Sequence, residues 1–501
     1  MKRQTAVIIG GGFGGLATAC LLSKAGYQVT VLEKNGQLGG RAGLLEAKGF
    51  TFDTGPSWYL MPDVFERFFA LLDERIEDHL QLVQLSPAYR VFYKDTGEHI
   101  DITSDIEKDA ATFDRIQPGA GQQLRKYLAR ADYTYNVSMD RFLYKNYDRI
   151  SDFMTPEVLR AAPRLSLFSN MDRYVRKFFP DPRLQKVVEY PLVFLGASPY
   201  NAPALYSLMS HIDFTQGVFY PKGGMYELIK AMVAIGSKYG ASYRTNTSVE
   251  QIVTKNGKAT GVVVGGRELN ADIVISNADL HHTETALLPP EARDHSAKYW
   301  QSRTLAPSAL LMYLGVNRQY SSLTHHNLLF SEDWNKNFTE LFSKHPHFPT
   351  DPSLYVCAPS KTDASVAPKG HENLFVLVPV AAGLTYTEKE LHTYSDRILQ
   401  TLEKELKLPD LRKHIVYQKL FCVDDFATQF NSLNGTGLGL SHTFKQTAIF
   451  RPSNVSKKVD NLYYVGANVN PGIGLPITLI SAELLYKRLV KDRSAGPRTT
   501  L

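Results

Sequence analysis

Cysteine is close to absent from the 501-residue chain, which holds three thiols, Cys20, Cys357 and Cys422. They share no CxxC spacing and lie far apart, so they are expected to form neither a disulfide framework nor a zinc site, and no metal is expected. No window of about 18 uninterrupted apolar residues occurs, which argues against a spanning helix. Charge of one sign is scarce too, because 56 basic and 50 acidic residues leave a net charge of +6. That dilute excess suits an anionic membrane surface and not the clustered basicity of a nucleic-acid binder, so no nucleic-acid partner is expected. Repeats and low-complexity tracts are missing, and only the tail from Lys491 to Leu501 reads as disordered. What is abundant is apolar mass, 44% of residues, enough for a large core shared among about two to four domains.

The first 25 residues mimic a secretory leader, with Lys2 and Arg3 ahead of an apolar run, but the run is studded with glycines spaced for another purpose. Ala6 to Ile9 is a β-branched strand candidate. Gly10-Gly11-Gly12-Phe13-Gly14-Gly15 follows at once, and then the helix-favouring LATACLLSKAG. Gly10, Gly12 and Gly15 fit GxGxxG: the first permits the turn, the second lets backbone approach a pyrophosphate, and the third lets helix and strand pack closely. The phosphates then meet the positive end of a helix. A second strand candidate, Tyr27 to Leu32, ends in Glu33, placed to accept hydrogen bonds from a ribose 2′-hydroxyl and so to favour FAD or NAD.

Glu33-Lys34-Asn35-Gly36-Gln37-Leu38-Gly39-Gly40-Arg41 continues into Gly49-Phe50-Thr51-Phe52-Asp53-Thr54-Gly55-Pro56. This stretch resembles the flavoprotein superfamily of amine oxidases, protoporphyrinogen oxidases and carotenoid desaturases. The resemblance implies that Glu33, Lys34, the Gly39-Gly40 pair, Arg41, Gly55 and Pro56 hold FAD, with Arg41 supporting its phosphates. No second strand-GxGxxG-helix follows, since Gly435 to Gly439 and Gly472 to Gly474 lack the full spacing, so hydride is expected to enter the flavin directly from substrate. Near the end, Asn461 to Val465 precedes Gly466-Ala467-Asn468-Val469-Asn470-Pro471-Gly472-Ile473-Gly474-Leu475-Pro476 and a helix-like ITLISAELLYKRLV. A helix N-terminus there, with Pro476 in its first turn, would face the negative charge of a reduced flavin.

That block sharpens the resemblance to the bacterial and fungal type of phytoene desaturase. The match extends through Gly217 to Met225, Ile275 to Asp279, Leu354 to Ser360 and Phe450-Arg451-Pro452, and so covers nearly the whole chain. Ala467 to Asn470 departs from the small-residue and histidine pattern that many relatives carry, which leaves the particular carotenoid open. The resemblance implies an α/β fold: a Rossmann-like FAD-binding domain from residues 1–100, 215–290 and 440–501, and an inserted α+β substrate domain from 101–214 and 291–439. It also places the backbone of Val249 at the adenine side of FAD, and Gly466, Gly472, Gly474, Leu475 and Pro476 at its flavin side.

Runs 308–316 and 373–382 read as apolar strands. Residues 120–200 read as helical. Between 159 and 179, five basic residues and one acid interleave with aromatic and apolar ones, a pattern that fits a membrane interface or, equally, a solvated helix face over a core. A polyene offers no acidic proton, so a saturated carbon must lose hydride to the flavin and its neighbour a proton to another group. Pro156 to Pro163 resembles the family segment with a carboxylate proposed for acid–base work, which makes Glu157, with Arg160 beside it, the candidate catalytic pair; a plain first-turn charge is the alternative. The pairs His281-His282 and His325-His326 read as loop histidines. The expected function is carotenoid desaturation, with carotenoid isomerase, flavin amine oxidase and non-catalytic prenyl-lipid escort as alternatives. Expected partners are the isoprenoid substrate, a membrane surface, and a quinone or oxygen as electron acceptor. The expected location is the cytoplasm, peripherally on the cytoplasmic membrane.

Overall fold

A computed structural model describes residues 3–94, 96–149, 152 and 169–501. Glu157, Arg160 and the first half of the basic amphipathic stretch lie outside the described residues.

The fingerprint strand Thr5–Ile9 sits at the centre of a five-stranded parallel sheet. Its order is Leu462–Tyr464, Ile273–Ser276, Thr5–Ile9, Gln28–Leu32 and Ser242–Arg244. Three distant stretches of chain therefore assemble one sheet, and their apolar β-branched runs match a sheet covered on both faces. Helix Phe13–Lys24 is buried from Phe13 to Ser23. Helices Tyr226–Lys238 and Leu475–Leu489 pack beside it, which explains why its sequence is apolar all round rather than amphipathic.

A second sheet of seven strands runs Ile415–Phe421, Ser308–Val316, Glu372–Val380, Leu354–Cys357, His326–Phe330, Tyr89–Tyr93 and His99–Ile102. All pairings are antiparallel except His326–Phe330 with Tyr89–Tyr93. The expected strands at 308–316 and 373–382 stand second and third in this order, buried on both faces. Strand Tyr89–Tyr93 and the first half of strand His99–Ile102, expected with the FAD-binding segments, hydrogen-bond into this sheet instead. The signal that hid this is length: three to five residues of alternation carry no register information on their own.

Two further expectations change. The tail 491–501 is pinned rather than loose. The buried Lys487 Nζ donates to Gly496 O at 2.5 Å and to Ser494 O at 3.2 Å, and Arg498 N donates to Glu483 Oε1 at 2.6 Å. In the described half of the basic stretch, Met171, Tyr174, Val175, Phe178 and Phe179 are buried in the core while Arg173, Arg176 and Lys177 are exposed. Those apolar residues face the protein, not a bilayer. Among the described residues, no helix is long and apolar enough to cross a membrane.

Candidate active site

The carboxyl ends of the parallel strands open onto a cavity of about 780 Å³. Open α/β sheets place ligands at this edge. One wall comes from the fingerprint: Gly10, Gly12 and Gly14, then Glu33, Lys34, Gly39, Gly40, Arg41, Gly55, Pro56 and Val249. The C-terminal loop supplies Gly466, Gly474, Leu475 and Pro476 to the same cavity. Gly15 lies behind this wall.

Several of these positions tolerate no side chain. A Cβ on Gly15 would lie 2.2 Å from Gly10 O, and one on Gly55 2.5 Å from Arg41 O. A Cβ on Gly40, which sits at φ +60°, would lie 3.1 Å from Gly12 Cα. The glycines thus hold two backbone segments nearly in contact, which leaves main-chain N–H groups facing the cavity at the start of helix Phe13–Lys24.

The buried Glu33 carboxylate accepts from Gly11 N and Asn35 N, both at 2.8 Å. Each oxygen keeps acceptor capacity for a hydroxyl in the cavity. Arg41 is half-buried, donates from Nη2 to Ser432 Oγ at 2.5 Å, and lies 5.4 Å over the Phe430 ring. Its Nε is buried with no protein partner. A buried donor atom left unpaired on a cation costs about 1–3 kcal/mol, and a phosphate in the adjoining cradle would satisfy it. The residues therefore fit FAD: Arg41 and the glycine turns would hold its pyrophosphate and Glu33 its ribose, while Val249 borders the same cavity. Lys34 borders the cavity, but its ammonium is committed elsewhere, donating to Thr428 O and Asn431 Oδ1, both at 2.8 Å.

The C-terminal loop is organised from beneath by a residue outside the expected set. Arg451 is buried and donates to the carbonyls of Ala467 at 2.5 Å, Leu440 at 3.0 Å, and Val469 and Gln446 at 3.3 Å. Burial pulls its pKa down to about 10. Gly472, at φ +146°, leaves room for His442, whose Cε1 would lie 2.2 Å from any Cβ there. His442 Nε2 accepts from Ile473 N at 3.3 Å, so in the neutral ring Nδ1 carries the proton toward Tyr206 Oη at 2.6 Å. Burial holds this imidazole well below its ordinary pKa. Helix Leu475–Leu489 starts immediately afterwards, with Gly474 as its N-cap and Pro476 in its first turn.

Asn277 is another residue the motif reading passed over as a site. Its amide donates to Gly10 O at 3.3 Å and packs against Gly12, Gly14 and Gly466, joining fingerprint to C-terminal loop. Asp279 accepts from Asn468 Nδ2 at 2.9 Å, so the departure at Ala467 to Asn470 is built into this junction. Both lie in the landmark Ile275 to Asp279, the available signal.

Beyond the cofactor wall the same cavity is apolar and aromatic, bordered by Leu60, Phe142, Leu311, Leu328, Phe330 and Phe375 among others. Trp58 lines it and gathers a cluster of rings. Its ring neighbours are His326 at 4.0 Å, Phe194 at 5.4 Å, Tyr89 and Tyr355 at 5.6 Å, and Tyr190 at 6.3 Å. His325 and His326, expected in a loop, are buried at and within strand His326–Phe330. Each is held at Nδ1 by a hydroxyl at 2.7 Å, Thr362 Oγ1 and Tyr355 Oη respectively. With Cys357 they bring possible ligand atoms within 4.8 Å of one another. Burial keeps both imidazoles neutral and pushes the Cys357 thiol up to about 12. The other pair lies on a short helix, with His282 on the cavity and His281 5.2 Å from the Trp300 ring.

Comparison with known proteins agrees with this geometry. The family of flavin containing amine oxidoreductases matches residues 13–482. A carotenoid 3,4-desaturase of Haloarcula japonica is 44% identical, over 98% of this chain and 99% of its own length. A zeta-carotene-forming phytoene desaturase of Myxococcus xanthus is 36% identical, over 98% and 96%. Among solved structures, an oxidoreductase of Methanosarcina mazei is similar at a TM-score of 0.63 and 18% identity, over 96% of this chain and 100% of its own. A Rab GDI of Plasmodium falciparum also shares the fold, at a TM-score of 0.55 and 12% identity, over 98% and 99%.

Proposed function

We propose that this chain, which belongs to the flavin containing amine oxidoreductase family and to the carotenoid desaturases within it, inserts a double bond at the 3,4 position of a carotenoid. The observation that carries this reading is the single cavity in which the dinucleotide cradle and the Trp58 chamber meet. FAD, when bound, accepts the substrate's hydride. The chain supplies the rest: Gly466 to Thr478 presents a helix N-terminus to the developing negative charge, the aromatic chamber holds the polyene and keeps water from the reacting carbons, and its rings offer their negative faces to a cationic carbon.

The 3,4 position rests on the 44% identical relative. The 36% identical relative supports a second reading, phytoene as substrate. An amine substrate fits less well. Among the described cavity residues the acids are Glu33 and Asp279, both on the cofactor side, so an ammonium group in the Trp58 chamber would lack a counter-ion. An escort role would explain the apolar chamber but not the Glu33, Arg41 and glycine cradle.

Substrate entry belongs to this reading. Phe444 borders the cavity and is 39% exposed, and Phe450, nearby in sequence, is 57% exposed. An exposed aromatic bordering the cavity and a second one six residues on, on a mildly basic chain, support peripheral contact with an anionic membrane in which a carotenoid dissolves. A membrane quinone or oxygen would then take the electrons.

Expression in two bacteria, one accumulating phytoene and one an already conjugated carotenoid, separates the readings by pigment absorption. A red shift confined to the second strain supports 3,4-desaturation, whereas colour formed from phytoene supports the second reading. A spectrum altered without lengthened conjugation points to isomerisation. Unchanged pigments in both strains, despite a yellow flavin-loaded protein, overturn carotenoid desaturation.

A further inference from the structure

Hydride loss solves half of a desaturation. The cation left behind must lose a proton from the neighbouring carbon, and behind the aromatic chamber, among the described residues, a buried carboxylate is joined to the lining residue Tyr190 through its hydroxyl. Asp213 lies on the short helix Ile212–Gln216 and is buried. Its Oδ1 accepts from Tyr190 Oη at 3.1 Å and its Oδ2 from Tyr89 Oη at 2.7 Å. Tyr190 borders the cavity, and its ring lies 6.3 Å from Trp58 and 5.8 Å from Phe194.

We propose that Tyr190 and Asp213 form the proton exit of the dehydrogenation. The C–H bond beside the cationic carbon breaks, and its electron pair becomes the second bond of the new C=C. The proton passes to Tyr190 Oη as the phenol's own proton moves to Asp213 Oδ1. The hydride's two electrons stay with FAD, so no further oxidant enters this step. The inference rests on the dehydrogenase reading above.

Three observations support it. Tyr190 Oη already points its hydrogen at the carboxylate, so accepting a proton from the cavity and releasing one to Asp213 needs no rearrangement. Tyr89 Oη holds the second oxygen and fixes the acid's orientation. The groups around Asp213 leave it able to take a proton near neutrality: Asp109 on helix Ile106–Ile116 raises its pKa, the Tyr89 and Tyr190 hydroxyls lower it, and Tyr127 on helix Ala120–Ser138 faces it as a neutral phenol. Burial outweighs the hydroxyls, and the carboxyl rises to about 7. A purely structural acid would serve as well with a low pKa.

The test is anaerobic reduction of the flavin by a conjugated carotenoid in lipid vesicles, followed by flavin absorbance across pH. Wild-type protein that is reduced establishes the dehydrogenase; wild-type protein that stays oxidised overturns that reading and the exit with it. In the reducing case, Tyr190→Phe and Asp213→Asn should slow reduction by about a hundredfold or more and lose a limb rising through about pH 7. Asp213→Glu should restore part of both. Flavin content and melting temperature identify a variant that fails to fold; should Asp213→Asn do so, Tyr190→Phe, which keeps the ring and the Tyr89 contact, decides. A wild-type rate with an intact pH limb in Tyr190→Phe overturns the exit and leaves the dehydrogenase standing, as it would were Glu157 the acceptor.

Discussion

Trp58 and His326 stack face to face, their ring centroids 4.0 Å apart and their planes 10° from parallel. The imidazole is fixed by Tyr355 and kept neutral by burial, so it holds the indole without adding charge to the chamber. Trp58→Ala would open the chamber between the cofactor wall and the seven-stranded sheet. FAD content should be retained, because the Arg41 and glycine cradle is untouched. Carotenoid turnover should fall about tenfold or more, as expected when a reacting chain loses its fixed position. Wild-type turnover in Trp58→Ala would remove the indole from the substrate site.

Gly15→Ala should yield protein free of FAD. The new Cβ would stand 2.2 Å from Gly10 O, forcing helix Phe13–Lys24 away from its strand. Overpacking of this kind costs about 1–3 kcal/mol, or roughly a ten- to hundredfold loss of affinity by the usual conversion. Flavin absorbance per protein after dialysis is the measurement, and full occupancy would refute the close approach.

Arg451→Met leaves the carbonyls of Ala467, Leu440, Val469 and Gln446 without their buried donor. A melting temperature several degrees lower and a weaker hold on FAD should follow, since each abandoned acceptor costs about 1–3 kcal/mol. Loss of the buried cation should also make the flavin's midpoint potential more negative, which redox titration reads directly. An unchanged potential would confine Arg451 to shaping the loop.

Phe444→Ser with Phe450→Ser should leave folding intact, because both rings are already exposed. Sedimentation with anionic vesicles should fall about tenfold or more, given about 1.5–3 kcal/mol for each apolar ring buried. Equal sedimentation of variant and wild type would place the membrane-facing surface elsewhere.

Glu189 accepts from Trp334 Nε1 at 2.9 Å, while its Oε1 is buried without a partner. Burial raises its carboxyl to about 8, so the folded state holds this proton after the unfolded chain, at the ordinary value near 4.5, has released it. Its contribution to stability therefore declines as pH climbs from about 4.5 to 8 and is level below that window. Glu189→Gln, a neutral mimic of the protonated acid, should match wild type at pH 4 and exceed it at pH 8 by an amount on the order of 4 kcal/mol. Identical melting curves at both values would contradict a protonated Glu189.

The cofactor half was legible in sequence because its chemistry demands backbone, and backbone demands glycine at fixed spacings. Gly10, Gly12, Gly15, Gly39, Gly40 and Gly55 could be read one by one, and so could the acid after the second strand. The substrate half was not, because an apolar chamber imposes no spacing: Trp58 comes from one segment, Tyr190 and Phe194 from another more than a hundred residues on, and all three look like core. Arg451 and His442 act through contacts with a loop that returns some 20 to 30 residues later, and only Phe450-Arg451-Pro452 had marked the place. Asp213 was hidden most deeply. Its partners stand 124 and 23 residues away in the chain, and a lone acid in an apolar run has no periodicity to betray it.

Lys34 and Arg41 reach across the cofactor crevice to Thr428, Asn431 and Ser432, and the crevice's far wall is the loop from Gly466 onward. The ribosome therefore releases the fingerprint first and the parts that close over it last. Until strand Leu462–Tyr464 and helix Leu475–Leu489 have emerged, the nascent chain owns a phosphate cradle with no flavin wall. A truncation before residue 462 would keep the cradle and remove the crevice's far wall, and such a chain should stay colourless.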